Sequence, residues 1–276
     1  MLHDDKWFEQ QYMPGLSIPN AGAIFESWRQ RSAATRARLK FKADIRYGPH
    51  GREVLDFYPA ENPKGCLVFI HGGYWVEFSK IETSFVAEGF VGQGLSVALI
   101  NYPLCPEVSI PDIRCSCARA FAHLYKSVLN EAERAAVIVT GHSAGGHLAA
   151  AHLVEDWSRL GLPKKPIAGV IPLSGIFDVA PLARTSLKPD LGLTPAAIAA
   201  VDLAHSVPTS KARLALAVGQ FESEEFHRQS AELAQGWASL RPQLIDVAGA
   251  NHFTIVDSLA DPDGQLNRLA VAMAGR

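Results

Sequence analysis

The sequence predicts an α/β protein with a mostly parallel, eight-stranded sheet and helices on both of its faces. Two observations carry this prediction. From Cys66 onward, short and strongly apolar runs alternate with segments of helical periodicity, and two alternating polar and apolar segments precede them. Apolar runs of this kind are typical of strands buried on both faces of a parallel sheet, and regular alternation of strand and helix specifies a wound sheet.

The predicted elements follow in chain order. Residues 20–40 have the spacing of a helix, and the next two segments, 44–47 and 53–58, form a hairpin around Gly48-Pro49-His50-Gly51. Buried strands are predicted at Cys66–Ile70, Ser96–Ile100, Ala136–Thr140, Ile167–Leu173, Arg213–Val218 and Gln243–Val247. Helices are predicted near 81–93, 111–129, 144–160, 225–240 and 263–274.

Length and composition favour one large domain. The chain has 276 residues, of which 48% are hydrophobic and 20% are charged, as in ordinary globular enzymes. Without an internal repeat or a polar linker, we expect a single domain over residues 1–276. Residues 1–42 form its N-terminal helical segment. Residues 176–208, punctuated by Pro and Ala without a clear strand, are a candidate cap insertion over the sheet.

Charge and hydropathy limit the partners. The formal net charge is −2 and no basic block occurs, so nothing favours a nucleic-acid or membrane partner. The chain has no apolar run of about 18 residues and does not begin like a secretory signal, which predicts a cytoplasmic location. We therefore expect a small-molecule substrate, while a homodimer stays open.

The four cysteines do not indicate a metal site. Reduced thiols are expected for Cys66, Cys105, Cys115 and Cys117, because the spacing of the last two is not CxxC. No second Cys/His pair completes a zinc ligand set. Neither a metal nor an organic cofactor is expected.

A candidate nucleophile lies at Ser143. The predicted strand 136–140 leads into Gly141-His142-Ser143-Ala144-Gly145, and an Ala-rich helical stretch follows. Strand, G-x-S-x-G and helix in this order are the context of a nucleophile elbow, in which the serine occupies a strained turn between closely packed elements. This arrangement predicts the α/β-hydrolase fold. Ser174 also ends a strand, but it lacks the first glycine and is read as a structural residue.

Candidate oxyanion donors follow the first buried strand. Cys66–Ile70 is succeeded by His71-Gly72-Gly73-Tyr74-Trp75, where a glycine pair lets backbone N–H groups turn toward a carbonyl oxygen. Acyl transfer needs such donors, because its tetrahedral intermediate carries negative charge. We assign the N–H groups of Gly72, Gly73 and Ala144 to this role.

A candidate base and a candidate acid follow the last two strands. In this fold the nucleophile, the acid and the histidine occur in that chain order, which selects His252 after the strand 243–247. The acid should follow the strand that ends at Gly219, and Glu222 is the best placed carboxylate. Glu224 and Asp178 stay open as alternatives. A metal site from His142 and His147 is disfavoured by their spacing.

The motifs together resemble the kynurenine formamidases (arylformamidases), which neighbour the hormone-sensitive-lipase-type esterases. The shared stretches are Tyr47-Gly-Pro with Leu55-Asp56, His71-Gly-Gly-Tyr-Trp, Asn101-Tyr-Pro-Leu-Cys-Pro, Gly141-His-Ser-Ala-Gly-Gly-His-Leu and Glu224-Glu-Phe-His-Arg-Gln-Ser. The resemblance covers residues 40 to 258. It implies hydrolysis of N-formyl-L-kynurenine to L-kynurenine and formate without a metal or cofactor, which belongs to tryptophan catabolism.

The resemblance also carries residue roles. It places the nucleophile at Ser143, the acid at Glu222 and the base at His252, although the family has Asp at the acid position and this chain has Glu. Tyr74, Trp75 and Phe253 are candidate substrate-binding residues, with packing in the core as the alternative. Two other functions stay open: a carboxylesterase for short acyl or aryl esters, and a ligand-binding receptor on the same fold.

Overall fold

A computed structural model describes residues 3–275 and contains one eight-stranded sheet. The strands are β1 (Lys42–Arg46), β2 (Val54–Tyr58), β3 (Gly65–Ile70), β4 (Leu95–Ile100), β5 (Val137–His142), β6 (Gly169–Leu173), β7 (Arg213–Gly219) and β8 (Gln243–Val247). Their order across the sheet is β1-β2-β4-β3-β5-β6-β7-β8. Strands β3 to β8 run parallel, whereas β2 pairs antiparallel with both β1 and β4. The predicted α/β-hydrolase fold is confirmed, and every predicted strand is present.

Helices flank the sheet on both sides. The α-helices are α1 (Asp5–Tyr12), α2 (Ala21–Arg38), α3 (Glu88–Val91), α4 (Ile110–His123), α5 (Glu131–Arg134), α6 (Ala144–Ala151), α7 (Lys188–Leu191), α8 (Pro195–Val201), α9 (Glu224–Gly236), α10 (Ile255–Ala260) and α11 (Gln265–Ala274). Short 3₁₀ turns occupy Pro14–Leu16, Ser84–Ala87, Trp157–Leu160, Ala180–Arg184 and Ala238–Leu240, and a π turn occupies Leu124–Val128. No helix in residues 3–275 is both long and apolar enough to cross a membrane.

The sheet is buried because its central strands are apolar on both sides. Along β3, Val68 and Ile70 belong to one core, which includes side chains from α4, α6 and α9. Leu67 and Phe69 belong to the other core, which is covered by α2, α3, α10 and α11. Successive side chains of a strand point to opposite faces, so an unbroken apolar run fills both cores. Strand β8 was predicted to be buried, but it forms the edge of the sheet and leaves Leu244 56% exposed.

Several helices differ from their predicted extents. The segment predicted as a helix over 144–160 ends at Ala151, and a separate 3₁₀ turn over Trp157–Leu160 follows it. The segment predicted near 81–93 divides into a 3₁₀ turn and the four-residue helix α3. Helix α1 lies within the predicted N-terminal helical segment, whereas the short helices α5 and α10 were not predicted from the sequence. Short helices show too few turns for a periodic pattern.

A buried ionic cluster fixes helix α2 to the edge of the sheet. The carboxylate of Asp56 on β2 is fully buried and accepts hydrogen bonds from Lys80 Nζ at 2.7 Å and from Arg36 on α2. Lys80 Nζ also contacts Asp44 at 2.8 Å. A buried charge is tolerated only when it is paired, so this cluster determines where α2 lies. The helix therefore presents one face to the carboxyl ends of the strands.

Three histidines near the ends of β3 and β5 are buried as neutral imidazoles. Burial lowers the pKa of His71 and His142 to about 3, and that of His147 to about 4. Each ring contacts a backbone carbonyl oxygen, so the nitrogen that faces this oxygen donates its proton. These rings act as uncharged hydrogen-bond donors within the core.

Acidification should destabilise this fold between about pH 6.5 and pH 4. The folded-state pKa values lie below the unfolded value of about 6.5, so unfolding takes up protons and the free energy of unfolding falls as the pH decreases. Each of the three histidines should lower the free energy of unfolding by about 2 kcal/mol at pH 5 relative to pH 7. Urea denaturation at both pH values measures the loss. Between pH 7 and pH 5, the free energy of unfolding of a His147→Gln variant should fall by about 2 kcal/mol less than that of the unchanged protein. Equal decreases in the two proteins would contradict a buried, neutral His147.

Candidate active site

Ser143 occupies a strained turn between β5 and α6. Its backbone has φ 57° and ψ −118°, a conformation that non-glycine residues rarely adopt. A Cβ atom at Gly145 would lie 2.1 Å from the carbonyl oxygen of Ile70, and one at Gly141 would lie 2.2 Å from the carbonyl oxygen of Gly145. Both glycines are therefore required by close packing of backbone on backbone, as the elbow motif predicts.

The loop after β3 passes directly beside this turn. A Cβ atom at Gly72 would lie 2.8 Å from the carbonyl oxygen of His142 and 3.3 Å from Ser143 Cβ. Gly73 has a φ of +98°, which favours glycine. The N–H groups of Gly72 and Gly73 have no acceptor within residues 3–275. Ala144 is the first residue of α6, where N–H groups have no acceptor in a preceding turn. These three predicted donors thus surround one serine.

His252 and Glu222 form a buried hydrogen-bonded pair. His252 Nδ1 lies 2.6 Å from Glu222 Oε2, and their side chains are 2% and 0% exposed. The other carboxylate oxygen of Glu222 accepts hydrogen bonds from Ser174 Oγ and, at 2.7 Å, from the N–H of Gly219. A carboxylate only accepts, so this contact retains the proton on Nδ1 and leaves Nε2 as the acceptor. The arrangement suits a general base.

The two alternative acids lie elsewhere. Glu224 is exposed in the first turn of α9, where its charge suits the helix dipole. Asp178 accepts a hydrogen bond at 2.9 Å from the N–H of Ala180, which begins a 3₁₀ turn, and burial raises the pKa of its carboxyl group. Among the carboxylates considered from the sequence, Glu222 is the one that contacts His252.

Two residues that the sequence did not assign support this pair. Ser174 was read as a strand-end residue, and it does follow β6 with a φ of 50°, but its hydroxyl also anchors Glu222. His142 Nε2 donates to the carbonyl oxygen of His252 at 2.6 Å. The residue beside Ser143 therefore holds the loop that carries His252. The position of His142 next to Ser143 was visible in the sequence, but its partner was not.

A cavity of about 170 Å³ lies over Ser143 and His252. Besides the elbow and the loop that carries His252, it is lined by the turn at residues 13–15, helix α2 with Phe25 and Trp28, the loop that runs from β3 to Thr83, and Leu187 in the segment 176–208. The sequence did not show that the N-terminal segment and residues 176–208 contribute to the site. The spacing of Phe25 and Trp28 marked a buried helix face, which is the signal that could have located them.

The predicted aromatic residues divide between cavity and core. Tyr74 and Phe253 line the cavity, as expected. Trp75 does not: it is fully buried, with its ring edge-on to His147 at 5.4 Å between centroids. Tyr74 and Trp75 both have positive φ values, 49° and 61°, and this local reversal of the backbone directs Trp75 into the core. We therefore correct the assignment of Trp75 from substrate binding to core packing.

The start of helix α9 holds the N-terminal segment over the site. Glu225 accepts a hydrogen bond from the hydroxyl of Tyr12, the last residue of α1, and Gln229 Nε2 donates to that hydroxyl at 2.7 Å. Ser223 Oγ donates to the carbonyl oxygen of Gln11 at 2.6 Å. These bonds give a structural role to the stretch after the acid, which the sequence showed only as a shared motif.

No candidate metal centre occurs in the described part of the chain. Residues 3–275 contain no group of three or more His, Cys, Asp or Glu side chains that could hold an ion. The four cysteines are free, and only Cys115 is exposed.

Comparisons with known proteins agree with this geometry. Residues 67–253 match the family described as alpha/beta hydrolase fold. The kynurenine formamidase of Danio rerio is 30% identical over 97% of this chain and 96% of its own length, and that of Salmo salar is 30% identical over 84% and 82%. A solved structure of a candidate thioesterase from Silicibacter sp. TM1040 superposes with a TM-score of 0.85 at 30% identity, covering 98% and 99% of the two chains.

Glu222→Gln should strongly reduce turnover of an activated aryl ester. The amide removes the negative charge and favours the wrong tautomer of His252, an effect worth on the order of 10⁴-fold in kcat in a comparable triad. Glu224→Gln, at an exposed carboxylate two residues further along, is the matched control and should keep normal turnover. Steady-state kinetics of both variants measure this. A normal kcat for Glu222→Gln would contradict the role of the pair.

Ser174→Ala should cause a smaller loss. Glu222 would keep the N–H of Gly219 but lose one charge-assisted hydrogen bond, so we expect roughly tenfold lower kcat with little change in KM. In the Glu222→Gln background, Ser174→Ala should lower kcat by a much smaller factor, because the two residues act through one contact. Equal losses in both backgrounds would show that Ser174 acts independently of Glu222.

Proposed function

The chain belongs to the alpha/beta hydrolase fold family, and we propose from this premise that it is a serine hydrolase that cleaves N-formyl-L-kynurenine to L-kynurenine and formate. Its relatives include named kynurenine formamidases over nearly its whole length, so the chain is a hydrolase rather than a receptor. The observation that carries the proposal is the buried contact between His252 and Glu222 beside Ser143.

The proposed reaction is acyl transfer in two halves. Ser143 Oγ attacks the formyl carbon while His252 Nε2 takes its proton, and the N–H groups of Gly72, Gly73 and Ala144 stabilise the oxyanion. The imidazolium then protonates the departing aryl amine, leaving a formyl ester on Ser143. Water, deprotonated by His252, attacks this ester and releases formate, which restores the free serine.

The cavity supports an aromatic leaving group. Phe25, Trp28, Phe78 and Phe253 line it together with backbone of the glycine loop. Aromatic rings pack edge to face or offset with another ring, and each such pair adds about 0.5–1.5 kcal/mol beyond burial of area. An aryl amine is therefore a better fit than a small polar amine. A carboxylesterase for short aryl esters would use the same groups, so the bond that is cleaved must be tested directly.

Ser143→Ala should lower kcat/KM for N-formyl-L-kynurenine by on the order of 10³-fold or more, leaving the residual catalysis that binding and the oxyanion donors provide. Ser158→Ala, an exposed serine in the 3₁₀ turn Trp157–Leu160, is the matched control and should be unchanged. Formation of L-kynurenine followed by absorbance measures both. A Ser143→Ala enzyme with ordinary turnover would refute the nucleophile.

The formamide assignment is tested by comparing two substrates. We expect kcat/KM for N-formyl-L-kynurenine to exceed that for p-nitrophenyl acetate, although the ester has the better leaving group. The reverse order by a large factor would replace the formamidase with the carboxylesterase. Labelling of Ser143 by a fluorophosphonate probe controls for folding in both assays.

A further inference from the structure

The loop between β3 and the buried ionic cluster is held rigidly. Tyr74, Trp75 and Phe78 all have positive φ values, between 49° and 65°. The carbonyl oxygen of Trp75 accepts from the N–H of Cys105 at 2.8 Å, and that of Phe78 accepts from Arg52 Nη2 at 2.6 Å. Strained backbone persists only where its surroundings determine it, and it concentrates at ligand sites.

This rigid loop presents a carboxylate without a partner. Glu77 lines the cavity and is exposed, and its side chain makes no hydrogen bond or ion pair with any residue from 3 to 275. Partial burial raises the pKa of its carboxyl group. Lys80, three residues further along the chain, forms ion pairs with Asp44 and Asp56 in the buried ionic cluster and does not pair with Glu77. The carboxylate of Glu77 is therefore free to pair with a group from outside the chain.

The rest of the cavity supplies no positive charge to balance this carboxylate. The described residues that line it include no lysine and no arginine. His142 and His252 also line it. Burial lowers the pKa of His142 to about 3, so this ring stays neutral at pH 7, and the ring of His252 is already paired with Glu222 through Nδ1. A cationic group of a ligand that lies next to Glu77 is thus attracted electrostatically at this position.

Four aromatic side chains line the same cavity as this carboxylate. The ring centroid of Phe25 lies 5.2 Å from that of Phe78 and 4.7 Å from that of Phe253, and Trp28 lies 6.4 Å from Phe253. We call these four residues the aromatic cluster. Aromatic faces attract ammonium groups, by about 0.5–1 kcal/mol at exposed sites and about 2 kcal/mol or more when desolvated. A carboxylate next to such rings is the chemistry that recognises an organic cation.

We propose that Glu77 and the aromatic cluster form a subsite for a protonated amino group on the leaving-group side of the substrate. The substrate class is then aryl formamides and aryl esters whose aromatic ring carries a primary ammonium on a short chain. This inference rests on the proposed function for the position of the scissile bond, at Ser143. It makes Glu77 a specificity-determining residue: it binds the part of the substrate that does not react.

A pair of aryl esters that differ only in charge tests the subsite. The probes are 4-(2-aminoethyl)phenyl acetate, which carries an ammonium, and 4-ethylphenyl acetate, which does not. The unchanged enzyme should prefer the ammonium ester at least about tenfold in kcat/KM, mainly through a lower KM, because a charge-assisted hydrogen bond is lost with the neutral ester. Glu77→Gln should reduce this preference by about tenfold or more, and Glu77→Asp should restore part of it.

The matched control is Glu61→Gln. Glu61 is also an exposed carboxylate, but it follows β2 near the opposite end of the parallel strands and does not line this cavity. Its variant should keep the full preference for the ammonium ester. A ratio of kcat/KM values is insensitive to the fraction of folded enzyme, so a merely structural effect of Glu77→Gln would not change it.

The results separate this inference from the proposed function. If N-formyl-L-kynurenine is hydrolysed but Glu77→Gln keeps the ammonium preference, the subsite is wrong and the formamidase stands. If the ester preference depends on Glu77 but no formamide is cleaved, the subsite stands and the formamidase is wrong. An unchanged enzyme without any preference for the ammonium ester also overturns the subsite.

Discussion

The close packing of helix α6 against strands β3 and β5 is the constraint on which the site depends. Glycine at positions 141 and 145 lets backbone approach backbone at distances that no Cβ atom would permit. The chain must then turn sharply at Ser143, which accepts an unfavourable φ as the result. The same proximity brings Gly72 against the serine, so the nucleophile and the candidate oxyanion donors are positioned by one contact rather than by two independent loops.

The candidate base and the candidate acid are held by bonds that converge from other strands. The carboxylate of Glu222 accepts hydrogen bonds from Ser174 after β6, from Gly219 at the end of β7 and from His252 after β8. Neutral His142, at the end of β5, holds the backbone of His252. Four adjacent parallel strands thus each contribute a group at the same edge of the sheet, which is where ligands bind in wound α/β folds. The candidate catalytic groups are therefore positioned by the carboxyl ends of neighbouring strands.

The sequence predicted those parts of the fold that depend on local patterns. Unbroken apolar runs located the strands because their side chains fill two cores, and the elbow motif located Ser143 because its glycines answer a local steric need. Trp75 was misplaced because positive φ values at two successive non-glycine residues reverse the backbone without a sequence signal. The bond between Tyr12 and Glu225 joins residues 213 positions apart, and no periodicity records such a contact. The role of Ser174 was hidden for the same reason.

Part of the cavity wall lies outside the region of the chain that matches the family. The family match begins at residue 67, whereas the turn at residues 13–15 and the aromatic side chains of Phe25 and Trp28 precede it. These residues line the cavity but contribute none of the hydrogen bonds that hold Glu222 and His252. Two chains can therefore share the whole matched region and the same reaction while accepting different molecules. The residues that line the cavity nevertheless lie on both sides of that boundary, since Glu77 and Phe253 are inside the matched region and Phe25 and Trp28 are outside it.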